Sequence, residues 1–134
     1  MAEPPVRVLL DTHVIIWALT EPQRLSATAR EIIESRENEL LVSAASAWEI
    51  GTKYRLGKLP QLEATVLNFE AQLDTLGTNS LPVSTAHALL AGTMAWSHAD
   101  PFDRMLAAQA ILEAAPLVTS DSVFTRLEGV DVVW

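Results

Sequence analysis

Val6-Arg-Val-Leu-Leu-Asp-Thr-His-Val-Ile-Ile-Trp-Ala-Leu-Thr20 reads as a strand running straight into a helix, and the class of the fold follows from it. Val6 to Leu10 is a short apolar run with β-branched residues, closed by Asp11-Thr12. Ile15, Ile16 and Leu19 then recur at helical spacing and stop before Pro22, since a residue preceding proline is pushed out of the helical region. The same step recurs downstream. Ser26 suits an N-cap for a helix to about Asn38, with Ala29, Ile32 and Ile33 on its inner face, and Leu40 to Val42 is the next strand. Ser46 to Arg55 reads as a helix ending near Gly57. Pro60 opens a longer amphipathic helix through Leu62, Val66, Phe69 and Leu73 that stops at Gly77, and these two are expected to form a protruding helical hairpin. Leu81-Pro82-Val83 is a short strand, Ser84 caps a helix to about Gly92, and Asp100-Pro101 starts another that runs to about Ala114. Leu117-Val118 and Val130 to Val133 are the last strands, with a short helix from Ser122 between them. About five strands separated by helices require crossover connections, which predicts a central parallel sheet in a three-layer α/β/α domain.

Composition narrows the chemistry. The chain has 134 residues, 49% of them hydrophobic, which is enough for one core without staples. Residues 1–5 are expected to be disordered and residues 6–134 to form a single domain. The absence of cysteine removes disulfides, cysteine-zinc sites, iron-sulfur clusters and cysteine nucleophiles together. With 9 basic against 17 acidic residues, a net charge of −8 argues against nonspecific nucleic-acid binding through bulk positive charge. Met1-Ala-Glu-Pro-Pro lacks the basic start and apolar run of a signal peptide, so a cytoplasmic protein is expected. The uncharged stretch Thr75 to Ala99 is long enough to span a bilayer, but Gly77, Asn79, Pro82, His87, Gly92 and His98 break it into a strand and a buried helix, and no membrane association is expected.

In open parallel sheets, ligands sit outside the carboxyl ends of the strands. Asp11 ends Val8-Leu9-Leu10 there, and Asp121 ends Leu117-Val118-Thr119-Ser120. Glu49 falls in the first turn or so of the helix after Leu40 to Val42, and Asp103 in the first turn of the helix starting at Asp100. Four carboxylates converging on one rim repel one another unless a cation lies among them, and carboxylate oxygens suit magnesium and manganese. Such ions polarise phosphoryl oxygens and activate water, so a phosphodiester nuclease is the simplest chemistry that needs this equipment. It also reconciles an acidic chain with a polyanionic substrate. Assigning four of the 17 acids to one pocket leaves 13 against 9 basic residues, a mildly acidic remainder.

Each of these residues has a plainer role open to it. Asp11 and Asp121 suit ordinary N-caps. Glu49 is spaced to pair with Lys53 on an exposed helix face, an arrangement worth a few tenths of a kcal/mol. Asp103 stands above Leu106, Ala107 and Ala110 on a buried stripe, whereas Asp100 is the N-cap with Pro101 at the first helical position and ranks as an accessory ligand. Lys53, Arg55, Lys58 and Arg104 are candidates for contacts to a phosphodiester backbone, with surface ion pairs as the alternative. Competing motifs fail. Gly51 and Gly57-Lys58 have five residues between the glycines where a phosphate loop needs four, and Leu59 replaces its Ser or Thr. There is no G-x-S-x-G elbow, and His13, His87 and His98 lack zinc-ligand spacing, although His13 lies two residues from Asp11. A phosphate-accepting receiver domain wants a late lysine, and none follows Lys58.

Val8-Leu-Leu-Asp-Thr-His13, Ser46-Ala-Trp-Glu-Ile50 with Lys53 and Leu56-Gly-Lys-Leu59, Asp100-Pro-Phe-Asp-Arg-Met-Leu-Ala-Ala-Gln109, and Leu117-Val-Thr-Ser-Asp121 together resemble the PIN domain of VapC-type toxins from bacterial and archaeal toxin-antitoxin pairs. The resemblance runs in order from Val8 to the C-terminus, and its motifs are intact. It implies a PIN-like fold and a Mg2+- or Mn2+-dependent endoribonuclease, usually directed at tRNA or rRNA, held inactive by a VapB-type antitoxin. It places the acidic centre on Asp11, Glu49, Asp103 and Asp121, with Asp100 as accessory, and it implies a homodimer. Asp11, Asp103 and Glu49 would hold the metal, with Asp121 completing the set or orienting a water. Trp17, Trp48, Trp96 and Trp134 offer anchors for an antitoxin or second protomer, with core packing expected for at least two. A non-catalytic PIN scaffold that binds protein or RNA is the alternative, and the intact acids count against it.

Overall fold

The apolar runs Val8–Leu10 and Leu40–Val42 become strands buried on both faces, and the computed structural model, which describes residues 4–134, shows how they are wound. β1 (Arg7–Leu10) passes into α1 (Thr12–Thr20), and α2 (Ala27–Glu34) leads to β2 (Glu39–Ser43) and α3 (Ala44–Arg55). After a 3-10 turn at Pro60–Leu62 come α4 (Glu63–Leu67), α5 (Phe69–Leu76) and β3 (Thr78–Leu81). α6 (Thr85–Thr93), α7 (Pro101–Leu112), β4 (Leu117–Val118), a 3-10 turn at Ser122–Phe124 and β5 (Val132–Val133) complete the chain.

The five strands form one sheet in the order β3-β2-β1-β4-β5, and every neighbouring pair is parallel. The chain winds outward from β1 to β3, then returns to the other side of β1 to place β4. The strand order therefore reverses between β1 and β4, and at such a switch point the connections diverge and open a crevice at the strands' carboxyl ends. Register follows the pleat. Val8 and Leu10 of β1 join Leu40 and Val42 of β2 in a core with Val14, Ile15 and Ile33, while Leu9 and Leu41 face the opposite core with Leu106, Ala107, Leu117 and Phe124. A third, smaller cluster of Ile16, Ile50 and Leu62 joins α1, α3 and the Pro60–Leu62 turn, fixing the α3–α4 hairpin to the body.

Several elements differ from the sequence reading; β5, for one, spans Val132–Val133 rather than Val130 to Val133. β3 lies at Thr78–Leu81 instead of Leu81–Val83. It is an edge strand paired only with β2, so Asn79 and Ser80 face solvent and polarity is tolerated, while Pro82 has no N–H for the ladder. The long helix from Pro60 is broken at Asn68, whose side-chain amide donates to Ala64 O at 3.3 Å and whose backbone leaves helical geometry. α2 stops at Glu34 rather than Asn38, because the Asn38 side chain accepts from Val6 N at 3.0 Å and donates to Ile32 O at 2.9 Å, tying the helix exit to the start of β1. α3 begins at Ala44, with no loop after β2, because Ser43 ends the strand and caps the helix through Ala45 N at 3.0 Å. Residues 1–3, part of the N-terminal segment expected to be disordered, lie outside the described residues.

Candidate metal and active site

Asp11 leaves β1 at the switch point and is 5% exposed. Its carboxylate accepts from Thr12 N and from Thr119 Oγ1, each at 2.7 Å, so it caps α1 and bridges to the end of β4. Both bonds favour the ionised form, yet burial outweighs them and pushes the Asp11 carboxyl above the ordinary range, helped by the negative charge of Glu49. Thr119, 1% exposed, also accepts from Asp121 N at 3.0 Å, so one hydroxyl ties the Asp11 carboxylate to the backbone at Asp121.

Glu49 lies in the second turn of α3, because that helix starts two residues before the expected position. It pairs with Lys53 as the spacing predicts, but on a buried face: Glu49 is 4% exposed. A buried hydrogen bond of 2.9 Å between Thr12 Oγ1 and Ser46 Oγ locks α1 to α3 beside it.

The third contribution comes from the start of α7. Asp100 is the N-cap and accepts from Phe102 N at 2.8 Å and Asp103 N at 3.2 Å, with Pro101 at the first helical position. Asp103, in the first turn, holds its proton up to about pH 6, chiefly through burial and further through the negative charges of Asp100 and Asp11, against the opposing hydrogen bond from His98. His98 Nε2 lies 2.7 Å from Asp103 Oδ2. The electrostatic influence of Glu49 on Asp11, and of Asp11 and Asp100 on Asp103, places these four carboxyls in one field.

Asp121 stands apart from them. It is exposed, and its Oδ1 accepts from Val123 N at 3.0 Å to cap the last 3-10 turn; its link to Asp11 runs through Thr119. Arg104 departs from the expected RNA-backbone role. Its Nε donates to Ala91 O, its Nη1 to Trp96 O and His98 O, and its Nη2 to Met94 O, at 2.6 to 3.0 Å, so the guanidinium organises the loop before α7. Lys53 is engaged by Glu49, while Arg55 and Lys58 are exposed at the end of α3. Trp17 and Trp96 pack against the two cores, as two of the tryptophans were expected to do, and Trp48 is 66% exposed with its ring edge-on to Phe102.

Sequence reasoning missed His98, Thr119, Thr12 and Ser46. The sole cue to His98 was its place two residues before the Asp100 cap, and zinc-type spacing does not test that. The donor set fits a divalent cation: His98, Asp100 and Asp103 offer ligand atoms within 4.8 Å of one another, and buried carboxyls whose ionised form is disfavoured are relieved by a positive ion. Among the described residues no helix is long and apolar enough to cross a membrane.

Known proteins share this chain's fold and much of its sequence. The PIN domain model matches residues 8–130. Ribonuclease VapC22 of Mycobacterium tuberculosis is 38% identical over 118 residues, covering 85% of this chain and 86% of that protein. Ribonuclease VapC16 of the same organism is 44% identical over 68 residues, covering 48% of each, so this chain matches about half the length of that relative. A toxin-antitoxin complex from Klebsiella pneumoniae contains a chain of the same fold, with a TM-score of 0.66, 18% identity and coverage of 95% of this chain and 96% of that one. With the family model spanning nearly all of the sheet and the rim, this chain belongs to the PIN-domain family, on its VapC branch.

Proposed function

We propose that this protein is the toxin of a toxin-antitoxin pair, a metal-dependent endoribonuclease that hydrolyses phosphodiester bonds of tRNA or rRNA and is held inactive by a VapB-type antitoxin. The observation that carries it is that Asp11, buried at the β1–β4 switch point, and Asp103, half-buried at the start of α7, have surroundings that disfavour their ionised forms, a cost that a bound cation removes. The relatedness to Ribonuclease VapC22 over 85% of the chain supports the activity, and the likeness to a toxin-antitoxin complex is in keeping with the partner.

Asp11, Glu49 and Asp103 would hold Mg2+ or Mn2+, with Asp100 as accessory. Such an ion supplies polarisation of the phosphoryl oxygens and a more acidic water. The chain's own residues do the rest. Thr119 and the Thr12 N–H fix both oxygens of Asp11, so that carboxylate meets its cation without reorganising. Lys53 neutralises Glu49 and limits repulsion at the rim. Asp121, linked to Asp11 through Thr119, would complete the set or orient a water. Arg55 and Lys58 are the candidates for the RNA backbone, and the N-termini of α1 and α7 add favourable partial charge for phosphate. Residues 6–134 act as one domain, as a homodimer, in the cytoplasm.

The test is induction in a bacterial host. Wild-type protein arrests growth with accumulation of discrete RNA fragments, Asp11→Asn does not, and co-expression of the cognate antitoxin reading frame restores growth. Growth arrest by Asp11→Asn at equal protein level would overturn the assignment.

A further inference from the structure

We propose that His98 is itself a ligand of the cation, placing one nitrogen donor among the carboxylates and giving this protein a preference for Mn2+ over Mg2+. Its Nε2 lies 2.7 Å from Asp103 Oδ2, and with Asp100 the three side chains present donor atoms that all lie within 4.8 Å of one another. The proton in that short bond joins the same two donors that a cation would join.

The imidazole is held in place by contacts away from the carboxylates. The His98 carbonyl accepts from Arg104 Nη1 at 3.0 Å, and the same guanidinium holds the carbonyls of Trp96 at 2.6 Å, Met94 at 2.7 Å and Ala91 at 2.8 Å. Residues 94–98 are thereby pinned to α7, the helix that carries Asp103. The Trp96 ring lies against the imidazole, with centroids 4.9 Å apart, and also packs on Phe124 of the core. A donor preset by such contacts loses little freedom on binding, which is how outer-shell residues raise metal affinity. Chemistry then decides the ion. Carboxylates and water suit magnesium, whereas imidazole binds first-row transition ions more readily, so a mixed set shifts selectivity toward manganese. On the proposed function above, Asp11 and Glu49 would supply the oxygen-only side of the site.

This inference rests on the metal-dependent reading above. Its test uses the full chain, stripped of metal and loaded with Mn2+, read by electron spin echo envelope modulation. Wild type is expected to show a nitrogen coupling that changes when the protein carries isotopically labelled histidine. The coupling disappears in His98→Gln, whose amide keeps a hydrogen-bond donor for Asp103. By titration calorimetry, His98→Gln weakens Mn2+ binding about tenfold or more and Mg2+ binding less than about threefold. Bound Mn2+ without nitrogen coupling, coupling that survives in His98→Gln, or equal losses for both ions would overturn the proposal while leaving a metal-dependent nuclease intact. Failure of wild type to bind either ion would overturn both.

Discussion

Asp103→Asn is expected to stabilise the metal-free protein while abolishing its activity. The carboxyl's affinity for its proton rises from an ordinary 3.8 to about 6, chiefly because burial disfavours the charge. At about 1.4 kcal/mol per tenfold, keeping it ionised at neutral pH costs about 3 kcal/mol. The side chain retains 18% of its exposure, and screening by that solvent reduces the figure to about 1–2 kcal/mol. The sign follows from proton linkage. An acid that binds its proton more tightly folded than unfolded leaves the wild type losing stability as pH rises from about 4 through about 6, with the full loss above that window. Asparagine carries no charge and still offers a partner to His98. Urea unfolding in EDTA should therefore show Asp103→Asn more stable than wild type by about 1–2 kcal/mol near pH 7.5, with the gain shrinking below pH 6 and mostly gone near pH 4. Saturating Mn2+ should reverse the order, because only the wild type gains fully from binding the ion. A variant less stable than wild type at neutral pH, or a gain that does not change with pH, would refute this account of the rim.

Other substitutions separate scaffold from site. Arg104→Ala strands four carbonyls and should lower stability by about 2–4 kcal/mol in denaturant melts, with Arg104→Lys recovering only part of the loss. Thr119→Val removes the hydroxyl that serves Asp11 and Asp121 N, and should lower single-turnover cleavage by at least about tenfold while stability falls by about 1–2 kcal/mol. Phe124→Ala empties the centre of one core and should cost about 3–5 kcal/mol, read as a shifted urea midpoint. Trp48→Ala should change stability by less than about 1 kcal/mol, because most of the ring is in solvent; a larger loss would place it in the core after all.

The parts of the fold set by burial were legible. β1 and β2 are apolar on both faces because helices cover both, and Asp11 and Asp103 were located because strand ends and helix starts mark the same rim. β3 escaped because an edge strand exposes Asn79 and Ser80 and carries no apolar signature. The helix after Pro60 was read too long because Leu62, Val66, Phe69 and Leu73 keep their spacing across Asn68, whose backbone leaves helical geometry while its side-chain amide adds a second bond to Ala64 O. The Glu49–Lys53 pair was read from its spacing, but its burial depends on packing against α1 that no local pattern encodes. The contacts of His98 and Arg104 were not legible for one reason. The loop before α7 has no periodicity, and its shape comes from a guanidinium whose partners are backbone carbonyls 6 to 13 residues away.

Cleavage of RNA by this protein is proposed to require a cation held by the carboxylate rim at the β1–β4 switch point. Single-turnover cleavage of total tRNA and rRNA by purified protein, with Mg2+, Mn2+ or EDTA, tests it most directly when wild type, Asp11→Asn and Asp103→Asn are compared at equal folded fraction. Wild type should give discrete fragments with either ion and none in EDTA, and both variants should lose at least about a hundredfold in rate. Cleavage that survives EDTA or both substitutions, or RNA binding without cleavage by the metal-loaded wild type, would contradict it.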